Sequence, residues 1–230
     1  MPNFWSYITN DKYAIGCTGQ TVYVYDASGR ELARFKDITY AYTPMFCPGQ
    51  GMFVVKSTDG RLAVYSLDEM RLIKKFRYSK VDGSQDDGFC FSKDGKHFYN
   101  VERHVDSCKT CLSIYETSGF SRTQQLFLSE TARVLGHIEC DADTGGLFVL
   151  GFMRDKTYGV LDYGFVAALE NDHLINITKI TRERHSYIRD YKHLELMGFT
   201  PKAKQWSSFK HVSLEQLEHV KLSDLISKEE

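Results

Sequence analysis

The chain has 230 residues, a length that allows one large domain or two smaller ones. Its apolar fraction of 42% and charged fraction of 26% are typical of globular proteins, and a formal charge of −1 excludes a general attraction to nucleic acid or anionic membranes. No run approaches the roughly 18 consecutive apolar residues of a membrane-spanning helix, so we expect no membrane association.

The amino terminus, residues 1–7, has neither a cationic start nor an apolar segment, so we expect no secretory signal. Six cysteines without such a signal are expected to be reduced thiols, which favours a cytoplasmic protein. Aromatic residues are abundant at 13%, and aromatic side chains pack well on the half-buried surface of a sheet. The composition therefore favours β-structure.

Hairpins recur along the chain. Four segments join an apolar strand, a polar turn and an alternating strand, which is the pattern of half-buried β-structure. They are residues 13–26, 52–66, 97–116 and 147–162. Their second strands end at Tyr25, Tyr65, Tyr115 and Leu161, with spacings of 40, 50 and 46 residues. Each hairpin follows another short strand, and three precede an outer strand, at 31–35, 71–76 and 123–127.

The repeating unit is thus four strands over about 40 to 50 residues, a period typical of propellers and other repeat folds. One small sheet cannot cover both of its faces, so neighbours must pack around an axis. We predict an all-β fold, a small β-propeller of four to five four-stranded blades with a short C-terminal helix. The repeat domain spans 1–212, with units near 4–37, 38–80, 81–130 and 131–180 and an atypical unit at 181–212; residues 213–230 form the helical tail.

The atypical unit carries the least regular pattern. Residues 192–204 are expected to form a fifth inner strand and its turn, with 205–212 as the partner strand. Four units with a capping extension, or an open arc that a second copy completes, are the alternatives. In the tail, Ser213 and Gln216 form a capping box, which predicts a helix start.

The layout resembles the WD-repeat and related β-propeller proteins. Residues 91–95, Phe-Ser-Lys-Asp-Gly, resemble the first turn of that family. The pairs Tyr25-Asp26, Tyr65-Ser66, Tyr115-Glu116 and Leu161-Asp162 stand where the family often carries Trp-Asp. No Trp-Asp occurs, and no Gly-His stands in the family position. The resemblance covers roughly residues 4 to 180, implies architecture only, and carries over no functional residue.

No catalytic or metal-binding motif stands out. His104, Cys108 and Cys111 offer three ligands where tetrahedral zinc takes four, and a redox dithiol would sit at a strand-to-helix junction. We interpret this segment as an ordinary hairpin loop. Residues 141–145 resemble the start of a calcium loop, but Phe152 stands where the bidentate Glu is required, which favours a glycine-rich turn. We expect no metal and no cofactor.

Two regions are candidate partner-binding sites. In the third unit, 24 residues separate Phe91 from Tyr115, against 18 and 19 in the first two units, and loops that outgrow their repeat often bind partners. The stretch 179–211 contains eight basic and three acidic residues with interleaved aromatics. The candidate contacts are Arg103, His104, Asp106, Lys109, Arg189, Lys192, Lys202, Lys204 and Trp206.

These observations favour a non-enzymatic protein-interaction module that binds an intracellular protein, with a toxin that it inhibits as one such partner. Two other classes stay open. One is a propeller-type hydrolase or lactonase with a metal in the central channel. The other is a nucleic-acid binder that uses the basic segment 179–210, since cations with aromatic side chains are typical of single-strand binding sites. Homo-oligomerisation also stays open.

Overall fold

The computed structural model describes residues 2–78, 88–103, 110–128, 133–154, 161–198 and 220–226. These residues form sixteen β-strands, one α-helix and one short 3-10 helix. The strands make four antiparallel sheets of four strands each, and in every sheet the strands lie in sequence order. No helix within these ranges has the length and apolar character needed to cross a bilayer. The chain divides into two compact units, and each is described by itself.

The first unit contains two sheets and takes in the described residues of 2–47, 51–78 and 191–198. Its strands are β1 (Ser6–Thr9), β2 (Tyr13–Cys17), β3 (Val22–Asp26), β4 (Glu31–Phe35), β5 (Ala41–Phe46), β6 (Met52–Ser57), β7 (Arg61–Ser66) and β8 (Arg71–Arg77). Alternate residues of β3, Val22 and Val24, are buried in one core with Phe53 and Tyr65 of the second sheet. Because strand residues alternate between faces, Tyr23 and Tyr25 lie on the opposite face of the first sheet.

The turns of this unit are built by side-chain caps, as their sequences predict. Asp26 at the end of β3 accepts hydrogen bonds at Oδ1 from the backbone N–H groups of Ser28 (3.0 Å) and Arg30 (2.9 Å). Gly29 completes the turn with a φ of +82°, which only glycine adopts without strain. The turn reverses the chain tightly, and β4 therefore pairs with β3 as the outer strand.

The second unit contains the other two sheets and the described residues of 48–50, 88–190 and 220–226. Its strands are β9 (Phe89–Phe91), β10 (His97–Arg103), β11 (Thr110–Glu116), β12 (Ser121–Leu126), β13 (Arg133–Cys140), β14 (Leu147–Arg154), β15 (Leu161–Glu170) and β16 (His173–Ile180). Val101 and Leu112 of one sheet share a core with Ile138, Val149 and Phe165 of the other. The hydrophobic faces of neighbouring sheets therefore bury each other, as the repeat pattern predicts.

The prediction for the fourth hairpin is wrong in register. We expected its second strand at 158–162, but β15 runs from Leu161 to Glu170 and pairs along its length with β14. The last two residues of β15, which correspond to Tyr25-Asp26 at the end of β3, are therefore Leu169-Glu170 and not Leu161-Asp162. The error has a physical cause: residues 165–169 are all buried, so the strand shows no alternation.

The expected fifth inner strand from Lys192 is also wrong over its described part. Residues Arg182–Leu196 form helix α1, and Thr181 caps it by accepting a hydrogen bond at Oγ1 from Arg184 N (3.2 Å). Residues 182–190 belong to the second unit and 191–196 to the first. Ile188, Tyr191 and Leu194 recur at helical spacing and are buried, which explains why this segment is helical.

The two ends of α1 are anchored differently. In the second unit, His185 packs against Gly164 and against the ring of Phe152 at a centroid distance of 5.5 Å. In the first unit, Tyr7 N donates a hydrogen bond to the carbonyl oxygen of Met197 (3.0 Å), just beyond the helix. Near the carboxyl end, Leu222–Leu225 form the 3-10 helix, while residues 213–219 of the expected helical tail lie outside the described residues.

Candidate functional site

The first unit carries a groove of about 440 Å³ between the β2–β3 loop and the segment that leads into β5. Its lining consists of Trp5, Thr18, Gly19, Gln20, Thr21, Thr39 and Tyr40. The two walls are joined by backbone: Ala41 N donates to Gly19 O (2.9 Å), and the two residues form an antiparallel bridge. The groove is therefore a fixed part of the fold.

Trp5 provides one aromatic wall of the groove. Its indole lies on Gly19, where a Cβ atom would come within 2.6 Å of the ring. Trp5 N donates to Cys17 O (2.8 Å), and the indole meets Tyr42 edge-to-face at 6.1 Å. Even so, the residue remains 45% exposed. The side chain is thus held on two sides by the protein while much of its surface remains open to solvent.

Tyr40 provides the other aromatic wall and has an unusual backbone. Its φ is +53°, in the left-handed region that costs an L-residue about 1–2 kcal/mol. Met70 and Phe120 also have positive φ, but Phe120 is buried and Met70 packs on the core of the first unit. Tyr40 is instead 57% exposed, so its burial offsets less of the strain than burial does at Phe120.

The lining of the groove is uncharged. Beside the groove lies an ion pair, in which Arg61 Nη1 is 3.1 Å from Asp59 Oδ2. Both also contact the hydroxyl of Thr39, which receives a hydrogen bond from Arg61 Nη1 at 3.0 Å and lies 3.3 Å from Asp59 Oδ2. The lining of the groove therefore presents aromatic faces, hydroxyls and one amide to a ligand, and no charged side chain.

Few of the contacts predicted from sequence can be placed. His104, Asp106, Lys109, Lys202, Lys204 and Trp206 lie outside the described residues. Arg103 ends β10, and only its backbone is described. Arg189 is half-exposed and pairs with its neighbour Asp190 at 2.8 Å. Lys192 is only 3% exposed, and its ammonium donates to Glu195 Oε2 (3.0 Å), so it offers no free charge to a partner.

The expected glycine-rich turn at residues 141–145 is confirmed. Asp141 accepts hydrogen bonds at Oδ1 from the N–H groups of Thr144 (2.8 Å) and Asp143 (3.0 Å). These bonds, with that of Thr144 the largest contribution, lower the pKa of Asp141 to about 2. Cys111 is buried on β11, and Cys108 lies outside the described residues. Across the described ranges, no three His, Cys, Asp or Glu side chains gather in a way that would hold a metal ion.

One buried polar cluster was not predicted. The carboxylate of Glu102 accepts hydrogen bonds at Oε1 from Asn100 Nδ2 (3.0 Å) and from the hydroxyl of Tyr115 (2.8 Å). Burial, followed by the nearby carboxylate, raises the pKa of Tyr115 above its ordinary value. All three residues are buried, and the bonds satisfy a carboxylate inside the sheet of β9–β12. We assign the cluster a structural role.

Sequence reasoning also missed Trp5 and Tyr40. Neither lies in a motif, and all four strands of the first sheet, β1 to β4, lie between Trp5 and Tyr40 in the sequence. The one available indication was that both are large aromatic residues. For Tyr40 this is notable because turn segments such as 37–40 usually carry small or polar residues.

No family model matches this chain, and no curated protein does. Solved structures do match its fold. Hydrazine synthase of Kuenenia stuttgartiensis superposes with a TM-score of 0.60 at 12% identity, over 79% of this chain and 50% of that one. The WD40 domain of Neurospora crassa Pan2 gives 0.52 at 14% identity, over 77% and 52%. The WD40 β-propeller domain of Doa1 gives 0.47 at 10% identity, over 64% and 47%.

This chain spans about half the length of the solved chains that it matches, and identities this low bear on the fold alone. The architectural resemblance predicted from the turns and strand pairs is confirmed by the four meander sheets and by the Pan2 superposition. The chain is an all-β protein of β-propeller architecture, similar to WD40 domains.

Proposed function

We propose that this protein is a non-enzymatic interaction module that holds an uncharged segment of a protein partner in the groove between Trp5 and Tyr40. The proposal rests on Tyr40, whose backbone is strained and whose side chain is largely exposed. An Asn or Gly there would remove most of the strain. A large aromatic residue that costs stability and leaves more than half of its surface in solvent is best explained by contact with a partner.

The chemistry of the groove supports a protein ligand. Tyr and Trp dominate the binding energy of protein interfaces, because each offers a large, rigid surface together with a polar atom. The hydroxyls of Thr18 and Thr39 donate within the protein, but their oxygens can still accept from the backbone N–H groups of an extended peptide, and the amide of Gln20 can donate or accept. Because no lining residue is charged, an apolar or uncharged segment is the ligand that loses least solvation on binding. An inhibitor of the immunity type would use the same contacts.

The test compares three variants in a direct binding assay with the partner recovered by affinity capture. Tyr40→Asn and Trp5→Ala remove the aromatic walls, and we expect each to weaken binding by at least 10-fold, in line with about 2 kcal/mol for an aromatic hot spot. Phe127→Ala is the matched control, because Phe127 is a 51% exposed aromatic residue of the second unit.

Stability separates this proposal from a structural role for Tyr40. Asn tolerates positive φ better than Tyr, so Tyr40→Asn is expected to keep the free energy of unfolding or to raise it by up to about 1 kcal/mol. Weaker partner binding in a variant of equal or greater stability supports the proposal. Wild-type affinity in both Tyr40→Asn and Trp5→Ala would exclude the groove as the docking site.

One observation favours nucleic-acid binding as a second candidate. Lys179, Arg182 and Arg184 are exposed, and none has a carboxylate partner among the residues that the structure describes. Filter binding at about 50 and 200 mM salt tests the idea, because each released counterion steepens the salt dependence. Replacing both arginines by glutamine should then lower affinity and flatten the slope. Absence of binding at low salt would rule this candidate out.

A further inference from the structure

A short segment near the carboxyl end, Val220–Ile226, lies in a slot on the second unit. Val220 is 5% exposed and Leu222 is fully buried. The 3-10 helix that begins at Leu222 lies against β14 and β15, so the segment packs on the sheet of β13–β16. This is the way in which a linear peptide, rather than a domain, is bound: two alternate side chains serve as anchors.

The polar side of the slot is formed by three carboxylates at the end of β13 and in the turn after it. Leu222 N donates to Glu139 Oε1 (2.6 Å), and the hydroxyl of Ser223 donates to Asp141 Oδ2 (3.1 Å). Lys221 Nζ lies 2.9 Å from Asp143 Oδ2, a proximity that raises the pKa of Lys221. Backbone, hydroxyl and ammonium of the segment thus each have an acidic acceptor.

These acceptors are also held by bonds that do not involve the segment. Asp141 uses Oδ1 for its own turn, accepting from Thr144 N, and presents Oδ2 to Ser223. The backbone of Asp143 is fixed by Lys93, whose ammonium donates to its carbonyl oxygen (2.6 Å). Much of the slot is therefore shaped by the sheet and its turn, and a site formed in advance binds a peptide at lower entropic cost.

We propose that this slot is a docking site for a short segment of a partner protein in which an apolar, a basic, an apolar and a hydroxyl-bearing residue follow one another. Residues 220–223, Val-Lys-Leu-Ser, have this pattern and occupy the slot in cis as a competitor. Because Asp143 is negatively charged, the ligand is expected to place a basic residue opposite it, as Lys221 does in this chain. The site belongs to the second unit and is independent of the groove at Trp5.

The experiment measures binding of a fluorescent heptapeptide, Val-Lys-Leu-Ser-Asp-Leu-Ile, to the full-length chain by anisotropy. In the wild-type chain the slot is occupied by a segment of the same chain, and a competitor within the same molecule lowers the apparent affinity for a free peptide. Leu222→Asp places a charge in the apolar slot and expels the native segment. We expect the peptide to bind this variant at least 10-fold more tightly than it binds the wild-type chain.

Charge reversal identifies the slot as the place of binding. Adding Asp143→Lys to the Leu222→Asp chain should reduce peptide affinity several-fold, because the ion pair is exposed, and a peptide with Glu in place of its Lys should recover the loss. Asp11→Lys, a reversal of the same sign on an exposed residue of the first unit, is the matched control and should change nothing.

A second variant covers the case in which Leu222→Asp does not fold. Lys221→Glu combined with Ser223→Ala removes two polar contacts of the native segment and keeps its apolar anchors, so peptide affinity should still rise several-fold. Circular dichroism establishes the β-content of each variant. No peptide binding by a folded variant, equal affinity for wild type and variants, or indifference to Asp143→Lys would overturn the proposal.

Discussion

His185 lies in the first turn of α1, and its imidazole ring is enclosed by the protein. It is 1% exposed, and neither ring nitrogen has a hydrogen-bond partner among the described residues. Burial, assisted by the positive charge of Arg189, lowers the pKa of His185 from 6.5 to about 4. The folded state therefore favours the neutral ring, and the stability that depends on it is complete above pH 6.5 and is lost as the pH falls towards 4.

We predict that the free energy of unfolding falls by about 2 kcal/mol between pH 7.5 and pH 5 because of this residue. The measurement is denaturant unfolding of the wild-type chain and of His185→Leu at both pH values. Leucine fills a similar space and leaves no unpaired polar atom, so the variant should be at least as stable at pH 7.5 and should lose less stability at pH 5. An identical pH dependence in the two chains would contradict the assignment.

Individual residues also show the limits of sequence reasoning. The cap at Asp141 was predictable, because an Asp followed by Thr and Gly satisfies a turn within five residues. The groove was not, because Trp5, Gly19 and Tyr40 meet only after the strands have paired. The positive φ of Tyr40 could not be predicted, because among residue types glycine is the usual indication of such a backbone conformation.

The junction between α1 and β1 depends on one glycine. Gly198 has a φ of +82°, and a Cβ atom there would overlap the carbonyl oxygen of Tyr7. We predict that Gly198→Ala lowers the free energy of unfolding by about 3 kcal/mol, which combines the cost of left-handed backbone with that of a steric overlap.

Gly49→Ala is the control for this prediction, because Gly49 has a φ of +66° and no neighbouring atom within 4 Å of an added Cβ. The control should lose only the backbone contribution of about 1 kcal/mol. Chemical denaturation of both variants gives the comparison. Equal losses would show that the helix end does not depend on close contact with β1.

At the level of elements, the first three hairpins were predictable and the last was not. β2–β3, β6–β7 and β10–β11 lie within the expected segments because polar turns separate patterned strands. The turn that ends β15 did leave a signal, since Asn171 and Asp172 both have positive φ and form a two-residue hairpin loop. For α1 the helical spacing of Ile188, Tyr191 and Leu194 was present, but the repeat period favoured a strand.

At the scale of the whole molecule, burial decreases from the inner to the outer strands, most clearly in the first three sheets. The second and third strands of the first three sheets are largely buried, as in β6 and β7, whose residues are nearly all inaccessible. The fourth strands are more exposed: β8 exposes alternate residues, most of β12 is exposed, and no residue of β4 is fully buried. Because opening an outer strand exposes little apolar surface, it requires less free energy than opening an inner one.

Hydrogen exchange measured by mass spectrometry should therefore show the same order in every sheet. We predict that peptides covering β4, β8, β12 and β16 exchange at least about 10-fold faster than those covering β2, β6, β10 and β14, a difference of about 1.4 kcal/mol in opening free energy. The four sheets serve as internal replicates, since each is a four-stranded meander in sequence order. Uniform protection within each sheet would mean that strands open only by global unfolding, and the outer strands would then carry as much of the stability as the buried ones.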